Sequence, residues 1–262
     1  MNQVFSIEFA RACINSGLIY GMTAHCLSHS LDQLPPDQMY VLAPNCLDES
    51  IISLLLESKA KYIEFTISLI NRYEKEQIQK TFDILRKEGC YCICKSIPRD
   101  LDYSKIRMFD AVVVKDTKGA GRSTNIPFDI VIQDIKKWNT QMHVIASGGI
   151  HSSEQAKHLF DLGASAVSIG TLFAASEESP LSDIAKQQIL KTSSGDLSRF
   201  SNGQQALVFS NTENDDENNT NGLRNGVQTG TEGHLFMGHA VDHITEIRPV
   251  SEIVSDLRRH LV

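Results

Sequence analysis

Val144–Ser179 reads VIASGGIHSSEQAKHLFDLGASAVSIGTLFAASEES, and its punctuation decides the fold. A short apolar run, Val144–Ala146, enters the pair Gly148-Gly149. A helix over Ser152–Leu162 closes at Gly163, and a second apolar run, Ala166–Ile169, enters Gly170-Thr171 at the start of another helix. Neither run alternates with polar residues, so both are expected as strands covered on two faces, the pattern of a parallel sheet. Strand, glycine turn, helix, glycine stop, strand is one repeat of an α/β fold.

The same rhythm runs back to the start of the chain. Helices are expected at Phe5–Ser16, where Phe9, Ala12 and Cys13 share a face and Gly17 caps the end, and at Asp48–Ser58, with Ile51, Ile52, Leu55 and Leu56 on one side. Two more are expected at Tyr73–Glu88 and Phe128–Trp138. Strands are expected at Leu18–Ala24, Met39–Ala43, Lys61–Thr66, Tyr91–Lys95, Asp110–Val114 and His143–Ala146, with Asp116–Ser123 a glycine-containing loop. With Ala166–Ile169 these make seven strands, where a closed barrel of this kind has eight. The expected fold is therefore α/β, (β/α)8 TIM-barrel-like, its first strand absent or replaced by another segment; a doubly wound sheet is the other arrangement this order allows.

Residues 1–180 are expected as the barrel and 181–262 as a C-terminal helical extension, with helices at Ser182–Lys191 and Val250–Leu261, the latter packing back on the barrel. Within the extension, Ser210–Gly233 (SNTENDDENNTNGLRNGVQTGTEG) is nearly bare of large apolar residues. A stretch that buries so little cannot offset its ordering entropy, so a mobile loop is expected there.

Composition narrows the function classes. The 262 residues are 41% hydrophobic and 22% charged, with a net charge of -7 and the basic residues scattered. That argues against nucleic acid or an anionic membrane surface as partner. The start lacks a basic segment followed by an apolar run, and no apolar stretch approaches the roughly 20 residues that span a bilayer. None of the six cysteines forms a CxxC pair, and Cys90, Cys92 and Cys94 alternate along one strand, so buried thiols are expected rather than a zinc site. His239 and His243 share a helical spacing but have no evident third ligand. The expectation is a reduced, cytoplasmic protein with a small-molecule substrate and no metal; nothing in the sequence specifies an oligomeric state.

The chemistry is expected at Gly148-Gly149 and Gly170-Thr171. In barrels the loops after the last two strands commonly cradle a phosphate, because backbone N–H groups at a helix start supply donors and glycine lets the anion approach. The plain alternative is that these glycines only make tight turns. Two such loops one βα unit apart favour the phosphate.

This stretch resembles the phosphate-binding segment of the nitronate monooxygenase (2-nitropropane dioxygenase) family of FMN enzymes. The family pattern is approximately an apolar strand, A-[AS]-G-G-I, a helix, L-G-A, a strand, x-x-G-T-x-F, then E-S or E-C, and nearly every element is matched here. The pattern is shared by flavin-type enoyl-acyl-carrier-protein reductases and some NAD(P)H:quinone reductases. The resemblance implies FMN as cofactor, with phosphate contacts at Gly149, Ser168, Ile169, Gly170 and Thr171 and with Ser147 and Gly148 beside them. It also implies a lysine near the flavin at the end of an earlier strand, which Lys95 in EGCYCICKS matches. A cation there could stabilise a reduced, anionic flavin.

A second matching stretch, VVVKDTKGAGRST (Val112–Thr124), departs from the family in one place. The family has Q-G or D-G and then a glycine-rich loop ending in the histidine that removes the proton α to a nitro group. Here Lys115 takes the glutamine position, Ala120 and Gly121 the two small residues, and Arg122 the histidine position. A guanidinium stays protonated and cannot be a general base, but it can hold an anion. The expectation is that Arg122 binds an anionic nitronate and that neutral nitroalkanes are poor substrates. His25, after an early strand, and His151 are weaker candidates for the missing base, and Gly238-His239 stands where the family often has a G-Q pair near the site. Two other readings are an enoyl-thioester or quinone reductase using NAD(P)H and a non-catalytic descendant that binds a phosphorylated ligand or a partner. A flavin-free barrel acting on a sugar phosphate would keep the cradle but leave Lys95 unexplained.

Overall fold

The computed structural model describes residues 6–24, 34–42, 47–96, 103–122, 126–200, 203–209 and 220–261. Helix α1 (Ile7–Asn15) begins at Ser6, whose hydroxyl accepts from the Phe9 N–H at 3.0 Å, and leads to β1 (Tyr20–Thr23). Then come β2 (Met39–Leu42), α2 (Glu49–Glu57) capped by Asp48, β3 (Tyr62–Thr66), a single turn α3 (Ile67–Ile70), α4 (Lys75–Lys87) and β4 (Tyr91–Ser96). The turn α5 (Tyr103–Ile106) precedes β5 (Ala111–Lys115), a short β6 (Gly121–Arg122), α6 (Phe128–Trp138), β7 (His143–Ser147), α7 (Ser153–Asp161) and β8 (Ala166–Ser168).

Seven of these strands form one sheet in the order β1-β2-β3-β4-β5-β7-β8, every neighbouring pair parallel. Among the described residues the sequential order of the βα barrel is thus present with seven strands, the number the sequence predicts. All seven C-terminal ends lie at one end of the sheet.

Side-chain periodicity sorts the two faces. Ile63, Phe65, Cys92, Cys94, Val112, Val114, Val144 and Ala146 pack into the main core with residues of α1, α2, α4, α6 and α7. The alternate positions Tyr62, Ile93, Ala111, Val113 and Ile145 form a separate cluster on the other face, the barrel interior. Cys92 and Cys94 therefore serve as small apolar side chains facing helices, and burial pushes each thiol up to about 12.

The C-terminal region has a second, smaller core built on α8 (Asp183–Ile189), β9 (Ser198–Arg199), β10 (Gln204–Val208), α9 (Thr220–Gln228), β11 (His234–Leu235) and a 3-10 turn at His239–His243. Three expectations are corrected here. The extension is not purely helical, because β10 pairs antiparallel with β9, β11 and β6. The loop after β5 is not loop throughout, because β6 is the strand that β10 joins. The polar segment expected as mobile over 210–233 contains α9, while its positions 210–219 lie outside the described residues. The physical reason is spacing: Leu223 and Val227 lie one helical turn apart, and both pack into the second core with Leu181, Ala185 and Leu235.

Finally α10 (Val250–Arg258) returns to the barrel, where Val250, Ile253, Val254 and Leu257 join the main core. It lies against both α1 and α7, the helices before the first and last strands of the sheet. Its free N-terminal donor at Val250 is taken by the Glu178 carboxylate, at 3.0 and 3.2 Å to the two oxygens. Glu178→Ala is expected to destabilise the protein by about 1–2 kcal/mol in urea unfolding, through loss of this cap. An unchanged midpoint would show that α10 does not depend on it.

Candidate active site

Period two carries the interior face upward from its apolar layer. Two residues beyond Tyr62, Ile93, Val113 and Ile145 stand Glu64, Lys95, Lys115 and Ser147, and two beyond Ala166 stands Ser168. The C-terminal mouth of the barrel is thus lined by one acid, two bases and two hydroxyls above an apolar floor. Glu64 is buried and its carboxylate accepts from Lys95 Nζ at 2.8 Å, with side-chain exposures of 22% for Lys95 and 4% for Glu64. Lys115 bends under its own loop and donates to the Ala120 carbonyl. Burial, and then the positive charge of Lys95, lower its amine to about 7, against a smaller raising influence of Glu64.

The two glycine turns leave the sheet side by side. Ser147 pairs with Ser168 in the β7–β8 register, so Gly149 and Gly170 each stand two residues beyond paired positions on adjacent parallel strands. Neighbouring strands are about 4.8 Å apart. Among the described residues, the backbone N–H groups of Gly149, Gly170 and Thr171 donate to no protein acceptor. A Cβ built on Gly170 meets nothing within 4 Å, so the space in front of that turn is open. The Thr171 hydroxyl accepts from the Gly238 N–H at 3.0 Å, which leaves its own hydrogen free to donate.

Gly148 has a different task. It sits at φ +123°, and a Cβ there would lie 2.9 Å from Gly119 Cα, so the turns after β7 and β5 touch glycine to glycine. The Asp116 N–H donates to the Ser147 carbonyl at 3.1 Å across the same contact. Gly238 closes the other side: a Cβ on it would lie 2.6 Å from the Lys118 carbonyl, which also accepts from the His239 N–H at 3.0 Å. Three chain segments, 116–120, 147–149 and 238–239, are therefore fixed to one another around the mouth.

Two histidines join the same assembly. His151 Nδ1 lies 2.9 Å from the Gly149 carbonyl, and its ring stacks on His243 with centroids 3.4 Å apart. Burial, then His151, lower the His243 imidazole, with Lys118 in the same direction and Asp242 opposing. A stacked, hydrogen-bonded ring is a positioning element for the Gly149 turn.

The model of the nitronate monooxygenase family matches residues 52–260, most of the chain. The chain belongs to the nitronate monooxygenase family. That family consists of FMN-dependent oxidoreductases. No curated protein sequence matches significantly. Among solved structures, a mutant of FabK from Thermotoga maritima is similar at TM-score 0.81 and 22% identity, covering 99% of this chain and 89% of that one. Nitroalkane oxidase from Streptomyces ansochromogenes is similar at TM-score 0.75 and 14% identity, covering 99% of this chain and 92% of that one. The enoyl reductase domain of MlnA from Bacillus amyloliquefaciens is more distant, at TM-score 0.51 and 12% identity, covering 76% of this chain and 61% of that one. At such identities the likeness shows the fold, which is TIM-barrel-like.

Within this nitronate monooxygenase family member, Lys95, Lys115, Ser147 and Ser168 stand on the successive neighbouring strands β4, β5, β7 and β8, with Ala120, Gly148, Gly149, Ile169, Gly170 and Thr171 in the turns just beyond. Gly121 and Arg122 form β6, where Arg122 pairs with Gln204 of β10; the Arg122 side chain and all of His25 lie outside the described residues. Sequence reasoning missed Glu64, whose signal was a lone acid in the apolar strand YIEFT. It also missed Lys118, whose stem lies 2.7 Å from a Cβ built on Gly149, and the His243 stack, for which no local pattern exists. Gly238 lies against the Lys118 carbonyl, and its N–H donates to the Thr171 hydroxyl. No helix among the described residues is long and apolar enough to cross a membrane.

Proposed function

We propose that the protein binds FMN at the mouth of its barrel and oxidises small alkyl nitronates with molecular oxygen. The observation that carries this reading is the pair of turns at Gly149 and Gly170, adjacent by strand register, with unengaged N–H groups and open space before Gly170. The residues fit the group: the Gly149, Gly170 and Thr171 amides and the Thr171 hydroxyl would hold the phosphate, with Ser147, Gly148, Ser168 and Ile169 around them. Lys95 stands on the interior face, where a flavin ring above the apolar layer would meet its positive charge, and Lys115 stands on the neighbouring strand. FMN, when bound, supplies the electron transfer to oxygen; the protein holds it, orients substrate and restricts water.

Substrate choice follows from the exchange of the family histidine for Arg122. An arginine accepts no proton, so the reading favours a substrate that arrives already anionic. With FMN-loaded protein, oxygen uptake is expected with a preformed nitronate and at least tenfold less with the parent nitroalkane. Equal rates with both would contradict the role given to Arg122. The likeness to the enoyl reductase domain of MlnA favours one alternative, enoyl-thioester or quinone reduction with NAD(P)H, and NAD(P)H oxidation in the absence of nitronate would select it. A protein that neither retains FMN nor can be reconstituted with it would instead be a non-catalytic member of the family.

A further inference from the structure

Among the described residues, Lys115 is one of three lysines, with Lys136 and Lys186, whose amine donates to a backbone carbonyl, and it alone of the three lies on a strand of the barrel. It closes β5 on the interior face, its stem and amine lie beneath Gly119 and Gly121, and its hydrogen-bond acceptor is a neutral carbonyl, that of Ala120. The ionisable groups that face it are Lys95 and Glu64, on the two preceding strands of the sheet, and Glu64 is already engaged by Lys95 at 2.8 Å. Asp116, next in the chain, has one carboxylate oxygen held by the Thr117 N–H at 2.6 Å. Among the described residues no carboxylate forms an ion pair with Lys115. A charged amine in that place would be half-buried, without a counter-ion and beside a second cation, so the neutral amine is favoured, and a neutral amine has a lone pair to offer.

We propose that Lys115 is a reactive amine that condenses with small aldehydes and ketones entering the barrel mouth, with the Lys95–Glu64 pair handling the protons. The nitrogen lone pair forms a bond to the carbonyl carbon while the carbonyl oxygen takes a proton from Lys95. The nitrogen gives up its own two protons in turn, the C–O bond breaks, and one water leaves for each C=N bond formed. No oxidant or reductant is consumed. The inference stands on the lysine's surroundings alone and does not require bound flavin.

The test is limiting formaldehyde with sodium cyanoborohydride on the intact purified protein, from pH 6 to pH 9.5, with methylated lysines mapped by peptide mass spectrometry. Lys115 is expected to be labelled at least about tenfold faster than the median lysine at pH 7. Its rate should flatten above about pH 7.5, where a free lysine amine, with a reference value near 10.4, would still be accelerating. In Lys95→Met the flattening should move to higher pH, because a neighbouring cation that lowers the Lys115 amine is gone. Labelling of Lys115 no faster than the rest, or with their pH dependence, would overturn the inference. FMN binding is measured separately on the same preparation: fast labelling without FMN binding removes only the flavin reading, and FMN binding with slow labelling removes only the reactive amine.

Discussion

Replacing Gly170 by valine is expected to weaken FMN binding at least tenfold while leaving the thermal midpoint unchanged. Gly170 has φ -126°, a value that makes no demand for glycine, and a Cβ there meets no protein atom within 4 Å. The protein itself therefore has no reason to resist the side chain. What a valine would fill is the space in front of the Gly170 and Thr171 amides, where the phosphate is placed. Gly148→Ala is the contrasting case. At φ +123° and 2.9 Å from Gly119 Cα, an added methyl group must both adopt a strained backbone and push two turns apart. That is expected to cost about 2–4 kcal/mol, lowering the thermal midpoint as well as FMN affinity. Fluorescence titration with FMN beside differential scanning separates the two glycines. A Gly170→Val protein that binds FMN as the parent does would show that no ligand occupies that space.

Lys115→Met is expected to stabilise the protein near neutral pH, and its advantage should shrink as the pH rises. An unfolded lysine holds its proton up to about 10.4, whereas the folded Lys115 releases it near 7. Between those values the unfolded state binds a proton that the folded state lacks, so the stability of the parent increases with pH by roughly 1.4 kcal/mol per unit. Below pH 7 the destabilisation is fully present. The buried Cys92 and Cys94 thiols act in the opposite sense above their unfolded values near 8.5, but they are common to both proteins and cancel in the difference. Urea unfolding of parent and variant at pH 6, 7, 8 and 9 is the measurement. A difference that stays constant across this series would mean that Lys115 keeps its ordinary affinity for the proton.

Much of this was legible before any coordinates, and the reasons are local. The runs Val144–Ala146 and Ala166–Ile169 read as parallel strands because both faces of a βα sheet are covered, which removes the polar alternation a half-exposed strand shows. The Gly148-Gly149 turn was visible because positive φ angles such as theirs have few other solutions. The C-terminal region was read less well. Strand β10 pairs with β6 across more than 80 residues and β11 pairs with β10 in turn, and no local window contains that pairing. The helix α9 was hidden by composition: Asn, Gly and Thr outweigh Leu223 and Val227, although it is the spacing of those two that buries the segment. Within the site, Lys95 was found through the family pattern, whereas Glu64 and its ion pair with Lys95 depend on which face of β3 looks inward. That could be decided only when the register of the whole sheet was known.

The reading rests on the two adjacent turns holding a phosphate dianion, and comparing the dissociation constants of FMN and riboflavin tests that point alone. The two ligands share the ring and the ribityl chain and differ in the phosphate. Charge-assisted hydrogen bonds from three backbone amides and the Thr171 hydroxyl should make FMN bind about a hundredfold more tightly, or better. Equal affinities for the two, or binding of neither, would contradict the account.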